Sequence, residues 1–357
     1  MLQTRYANNS VPEAPSAAFA KPAGILSVVG ATPLVHLKKL SAEWRVEVFG
    51  KLESLNPGGS VKDRPALAVL QDGIRKGLVG PNTTIVESSS GNMGIGLAQA
   101  CRYWNLRFIC VVDAKTCVTN IRLLRAYGAE VDVVRETDPA TGEYLPKRIQ
   151  RLKELLAEID DSFWPNQYAS LSNAGAHYRT TIPEIVRALD GEFDYLFCPI
   201  STYGTLRGCA EYLRDIGHRA RVVAVDALGS HIFAGQNPLK RLLPGMGAAI
   251  RPALCVDGLA DRVVYVSDLD CVAGCRKLAR EEAILAGASS GGVVAAMETL
   301  SLDMPKNSIC VGILPDRGER YLDQVYSDDW VKEYFGEVGL LRAAGLPAAP
   351  QMEMLPA

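Results

Sequence analysis

A lysine stands at the end of a tight, glycine-rich turn in the run Asn56, Pro57, Gly58, Gly59, Ser60, Val61, Lys62, Asp63, Arg64. Two consecutive glycines permit a sharp turn, Ser60 is a good N-cap, and the amphipathic pattern to about Lys76 predicts a helix with Lys62 in its first turn. The positive end of a helix dipole disfavours an ammonium there by up to ~1 kcal/mol, and burial would lower its pKa further. A lysine with a lowered pKa is what Schiff-base chemistry needs; a solvated surface lysine is the alternative reading. The spacing does not fit a nucleotide P-loop, where four residues separate the first glycine from a Gly-Lys-Ser/Thr end.

Three further loops follow predicted strands and open helices, which is where open α/β sheets place ligands. Ser88, Ser89, Ser90, Gly91, Asn92, Met93, Gly94 offers hydroxyls at a helix N-terminus, an anion site sized for a carboxylate, whereas a plain cap needs one serine. In Ser201, Thr202, Tyr203, Gly204, Thr205, amides around Gly204 and three hydroxyls can cradle a phosphate; a serine-rich helix cap is the alternative. The third loop, Gly287, Ala288, Ser289, Ser290, Gly291, matches the GxSxG nucleophile elbow literally. That chemistry needs a histidine after the serine, and His36, His177, His218 and His231 all precede it. Leu314 to Tyr321 follows another strand, and its charges either meet a ligand or pair within a solvated loop. An amine nucleophile, a carboxylate pocket, a phosphate cradle and a neutral hydroxyl together form the set that pyridoxal phosphate (PLP) requires.

The elements that must position these loops are short β-branched runs alternating with amphipathic stretches: Thr84 to Glu87, Phe108 to Val112, Val131 to Val134, Tyr195 to Pro199, Val222 to Val225 and Ile309 to Leu314. This is the pattern of βαβ units and a mainly parallel sheet, with too many strands for one sheet. The polar stretch Asp160 to Asn173 marks a lobe junction near residue 160. The expected organisation is a flexible tail at 1–21, a smaller lobe at 52–160 carrying Lys62 and the Asn92 loop, a larger lobe from 22–51 plus 161–340 carrying the phosphate loop and Ser289, and a second flexible tail at 341–357.

A chain of 357 residues, 48% hydrophobic, is enough for a large core in two lobes. A net charge of −2 without charge blocks gives no reason to expect nucleic acid or an anionic membrane as partner. No apolar run is long enough to span a bilayer, and no secretory signal is evident, so a cytoplasmic location is expected. The nine cysteines form no CxxC pair and read as buried, reduced thiols, with no metal site expected.

In order along the chain, GATPLVHL, NPGGSVKDR, ESSSGNMGIGLA, NQYA, STYGT, LPGMGA, GASSGG and PDRGERYLD resemble the cysteine synthase and cystathionine β-synthase family of fold-type II PLP enzymes over roughly residues 24 to 330. The resemblance implies an α/β fold of the tryptophan synthase β-like kind, two three-layer αβα lobes with mainly parallel sheets, and a homodimer. It implies that Lys62 is the lysine bonded to the cofactor, that Asn92 meets the ring oxygen, that Ser201 to Thr205 cradle the phosphate and that Ser289 faces the pyridine nitrogen. Ser89, Ser90, Met93 and Gln167 fall where the family holds its substrate. Met93 replaces the usual threonine, STYGT the usual glycine-rich loop, and Asp316, followed by Arg317, a usual small residue.

With NPGGS-KDRPA, VDA-GS-IF and VYSD-W also present, the chain resembles most the siderophore-pathway branch, the N-(2-amino-2-carboxyethyl)-L-glutamate synthases, which join O-phospho-L-serine to L-glutamate as a route to 2,3-diaminopropionate. Both substrates are anionic, so extra donors are expected. Arg148, in the polar stretch Tyr144 to Leu156, is the first candidate, with Tyr168 and Ser201 behind it; a surface arginine between Lys147 and Arg151 is the alternative. The competing functions are an O-phosphoserine or O-acetylserine sulfhydrylase making cysteine, a dehydratase releasing pyruvate, and a non-catalytic PLP-binding regulatory partner.

Overall fold

The structure, a computed structural model, describes residues 24–139, 142–233 and 239–345. The tail expected at 1–21 lies outside them. Among the described residues ten strands form two sheets: β1 Leu34–His36, β2 Glu47–Leu52, β3 Thr84–Ser88, β4 Phe108–Asp113, β5 Glu130–Val134, β6 Ser162–Phe163, β7 Tyr195–Pro199, β8 Arg221–Ala227, β9 Arg262–Val266 and β10 Ile309–Leu314. The larger sheet has the order β1-β2-β10-β7-β8-β9 and the smaller β5-β4-β3-β6. Every pairing is parallel except β1 with β2. This is the α/β architecture with mainly parallel sheets that the strand pattern predicts.

Parallel strands read as near-continuous apolar runs because helices cover both faces. In β8, Val223 and Val225 join one core cluster while Val222 and Ala224 join another. In β4, Phe108, Cys110 and Val112 face one core, and Ile109 and Val111 the opposite one. Each sheet is thus the middle of three layers. β1, β2, β6 and β9 were not among the expected strands. β1 and β6 are only three and two residues long, and Gly50 and Lys51 interrupt the apolar pattern of β2. The helix Asp328–Ala343 runs past the start of the tail expected at 341–357, held by Leu340 and Ala343, which pack on the core.

The helices Asp268–Glu282 and Ala288–Ser301 touch backbone to backbone. A Cβ on Gly274 would lie 2.0 Å from Gly291 O, and one on Gly291 would lie 2.0 Å from Cys271 O. Only glycine allows this approach, and it sets the entry of the helix that begins beside Ser289. Gly291→Ala is expected to lower stability by about 1–3 kcal/mol, the usual cost of overpacking. An unchanged urea midpoint would show that the helices can part freely.

Among the described residues no helix is long and apolar enough to cross a membrane. Cys117 is exposed and Cys255 half-buried, against the expectation of buried thiols; Cys117 precedes a helix whose first turn faces solvent.

Candidate active site

Three loops meet at the end of β10. Val61 N donates to Pro315 O at 2.8 Å, Ser60 pairs with Asp316 in an antiparallel bridge, and Gly287 N donates to Asp316 O at 3.1 Å. Ser60 is not the N-cap that the sequence predicts, because the helix starts later and Lys62 itself takes the cap position. The helix begins at Asp63, with Lys62 one residue before it, and Ser60 Oγ accepts from Lys62 N at 3.2 Å. Asp63 folds back to accept from Gly58 N and so fixes the turn. Its own carboxyl is pushed up to about 7 by burial.

Lys62 shares a cavity with Ser201, Thr202, Tyr203, Gly204 and Thr205. It keeps some exposure to that cavity, but protein atoms crowd it, and desolvation lowers the amine from 10.5 to about 8 against the opposing pull of Asp316. This is the depressed lysine of the sequence argument, and the solvated surface alternative fails.

The Ser201–Thr205 loop is tied down from behind. Ser201 Oγ donates to Gly247 O at 3.1 Å, Asn173 Nδ2 donates to Thr202 Oγ1 at 3.2 Å, and Tyr203 OH donates to Val256 O at 3.2 Å. Tyr203 takes φ 69°, an uncommon left-handed turn that delivers the chain into the helix Gly204–Asp215. A Cβ on Gly204 would fall 2.1 Å from Asn173 Oδ1. Backbone amides at this helix start, with buried Thr202 and Thr205, make a cradle for a phosphate group. An amine with a lowered pKa facing such a cradle fits PLP.

Asn92 opens the helix Asn92–Tyr103, and its Nδ2 donates to Asp316 Oδ2 at 2.7 Å. Arg320 donates to Asn92 Oδ1. Asp316 is buried, as its place between three loops requires, so it does not belong to a solvated loop. Arg317, by contrast, donates to Ser54 O at 2.8 Å near the surface. Ser289 is buried in the first turn of its helix and is joined to the other loops through Gly287 and Asp316 O.

Ser89 Oγ accepts from Gly94 N at 3.1 Å, and Gln167 Nε2 donates to Ser88 O at 3.4 Å, placing both at the end of β3. Ser90 is half-exposed, and its carbonyl accepts from Asn120 Nδ2 at 3.0 Å. Met93 departs from expectation: its side chain lies in the apolar core below the smaller sheet, because the helical spacing puts it on the face of Leu97 and Ala100. Arg148 is mostly buried on the helix Tyr144–Glu158, with Nη1 3.4 Å from Asp113 Oδ2. Its Nε and Nη1 are buried without a hydrogen-bond partner. It lies close enough to Tyr168 for its charge to oppose the rise that burial imposes on that phenol.

Two supporting residues escaped the sequence reading. Glu87, in β3, accepts from Trp164 Nε1 at 3.1 Å and Gln167 N at 3.3 Å, and burial pushes its carboxyl up to about 7. An acid inside an apolar strand was the available signal. His177, in a single π-helical turn His177–Thr181, contacts Thr205 Oγ1 at 3.2 Å through Nε2 and Thr181 Oγ1 at 2.9 Å through Nδ1. Burial, with Lys62 and Arg64 adding to it, keeps the imidazole well below its ordinary value and therefore neutral. Nothing in the local sequence marks it.

Residues 25–316 match the family model described as pyridoxal-phosphate dependent enzyme. The chain is similar to the solved structure of an O-ureido-L-serine synthase, with 32% identity, coverage of 89% of this chain and 97% of that one, and a TM-score of 0.80. It is also similar to an O-acetylserine dependent cystathionine beta-synthase from Helicobacter pylori (30% identity, 87% and 100% coverage, TM-score 0.79). A hydrogen sulfide-producing enzyme from Fusobacterium nucleatum aligns with 32% identity, 84% and 99% coverage and a TM-score of 0.78. The chain belongs to the pyridoxal-phosphate dependent enzyme family, within its cysteine synthase-like, β-replacement class.

Proposed function

We propose that this enzyme condenses O-phospho-L-serine with L-glutamate, giving N-(2-amino-2-carboxyethyl)-L-glutamate and phosphate, as a step toward 2,3-diaminopropionate in siderophore biosynthesis. Arg148 carries the reading. Its guanidinium is paired with Asp113 at 3.4 Å, yet Nε and Nη1 are buried near Tyr168 without a hydrogen bond, and buried donors left unmet are costly unless an acceptor completes them. A substrate phosphate or a glutamate carboxylate would do so. An O-acetylserine enzyme using sulfide has less need of this charge.

In this reading Lys62, Thr202, Gly204 and Thr205 hold PLP, Asn92 meets its ring oxygen and Ser289 its pyridine nitrogen. Bound PLP supplies an electron sink for the carbanion at the substrate Cα. Ser89, Ser90 and Gln167 orient the α-carboxylate. The Lys62 amine, when neutral, takes the Cα proton and later returns it. Tyr168 donates to the incoming anions, and Ser201 can join it only by turning its single O–H away from Gly247 O. The family resemblance supports a homodimer.

The test is to supply the PLP-loaded enzyme with O-phosphoserine and either glutamate or sulfide, and to identify products by mass spectrometry. Condensation with glutamate supports the reading. Product with sulfide alone makes the enzyme a sulfhydrylase, and no product from either acceptor favours a non-catalytic role. Arg148→Ala is expected to raise KM for one anionic substrate at least about tenfold, the loss of a charge-assisted hydrogen bond, with PLP content unchanged. Unchanged KM values for both substrates would remove Arg148 from the site.

A further inference from the structure

Asp316 and Arg320 close a small network that none of the roles above uses. Asp316 Oδ2 accepts from Asn92 Nδ2 at 2.7 Å and from Tyr321 OH at 2.8 Å. Arg320 donates to Asn92 Oδ1 and, through Nη2, to Gly58 O at 2.6 Å. These partners leave the amide one orientation. A guanidinium only donates, so Oδ1 must face Arg320; a carboxylate accepts, so the NH2 must face Asp316. One of the two amide hydrogens is taken and the other is spare.

Simple packing does not account for Asp316. Its Oδ1 is buried with no partner, which costs stability that a small neutral residue would avoid. Its backbone already joins Ser60 and Gly287, and those contacts need no carboxylate. The side chain adds to them a grip on Asn92 and Tyr321 and a negative charge that acts on Lys62.

We propose that Asp316 and Arg320 are positioning residues that lock the Asn92 amide with its spare N–H directed to the ring oxygen of the cofactor. The inference rests on the role given to Asn92 above and is independent of which substrates the enzyme takes. Arg320 also holds Gly58, so the same clamp ties Asn92 to the turn that presents Lys62.

The experiment needs only PLP. The affinity of cofactor-free protein for PLP, and the visible spectrum of the holoenzyme against pH, are measured for wild type, Asp316→Ala, Asp316→Asn, Asn92→Ala and the Asn92→Ala/Asp316→Ala double variant. Asp316→Ala is expected to weaken PLP about tenfold and shift the visible band, as loss of the hydrogen bond that orients Asn92 would. Asp316→Asn keeps an oxygen that accepts from Asn92 and should stay within about twofold of wild type. In the Asn92→Ala background, Asp316→Ala should add less than about twofold, the signature of residues acting as one unit. An Asp316→Ala spectrum and affinity like wild type, equal losses in Asp316→Ala and Asp316→Asn, or full additivity in the double variant would each overturn the proposal. If Asn92→Ala itself changes neither readout, the role of Asn92 falls and the clamp with it, while the substrate reading keeps its own test.

Discussion

Lys62→Ala is expected to lower turnover at least about 10³-fold, because it removes both the covalent attachment point and the amine that moves the Cα proton. The variant should fold, keep PLP in the Thr202–Thr205 cradle by its phosphate, and lose the visible band of the attached cofactor. The depressed pKa gives a second readout in the cofactor-free wild type. A neutral amine is the nucleophile, so PLP attachment should accelerate with pH and level off above about 8. At pH 7 an amine titrating at 8 is about 10% neutral, some 300-fold more than one titrating at 10.5. The same shift bears on stability. A lysine lowered in the folded state penalises folding fully below pH 8, and the penalty fades as pH rises toward 10.5. Lys62→Met should therefore raise the Tm of the cofactor-free protein at neutral pH and lose that advantage at high pH. A midpoint for attachment near 10.5 would mean that Lys62 is solvated, and the site would need another explanation.

The second large effect is expected at Arg64, two residues further on, in the first turn of the helix that Lys62 precedes. Its guanidinium is buried between two carboxylates: Nε and Nη2 donate to Glu53 at 2.7 and 2.8 Å, and Nη1 and Nη2 each donate to Glu184 at 2.7 Å. Lys51 Nζ completes the group with a 2.7 Å bond to Glu184. Asn56 ties the cluster to the lysine turn, donating to Glu53 Oε2 at 2.9 Å and accepting from Gly30 N at 2.8 Å. Two cations balance two anions, so removing Arg64 leaves a net negative charge in the interior. Arg64→Met should cost about 3–5 kcal/mol in chemical unfolding, the usual penalty for breaking a buried pair from one side. Arg64→Lys restores the charge but cannot fork to both acids, so it should recover only part of the loss. A loss below about 1 kcal/mol would show that water replaces the guanidinium at little cost.

The lysine turn, the serine loop and the phosphate loop were legible because each is local: glycines, hydroxyls and a helix start within ten residues. The order of these loops carried the family. The convergence on Asp316 was not legible, since Asn92 and Asp316 lie far apart in the chain and meet only when the two sheets are placed together. His177 is hidden for the same reason, its partner Thr205 belonging to the next βα unit. Met93 misled because a residue beside Asn92 was read as part of the loop, whereas one step along a helix turns the side chain about 100° toward the core. Ser60 looked like a cap because a turn that delays the helix to Asp63, with Lys62 in the cap position, leaves no local mark in the sequence.

The strand order has a consequence in time. β10 lies between β2 and β7, so β2 must wait from Glu47 until Ile309 leaves the ribosome for its parallel neighbour. At ~5–20 residues per second that interval exceeds about ten seconds, while the smaller sheet, drawn from one stretch of chain, can already be complete. Pro315 and Asp316, which join the lysine turn to the serine helix, emerge later still. A nascent chain stopped before them would own every other part of the cofactor cavity and yet have nothing to close it, so cofactor capture has to wait for both sheets.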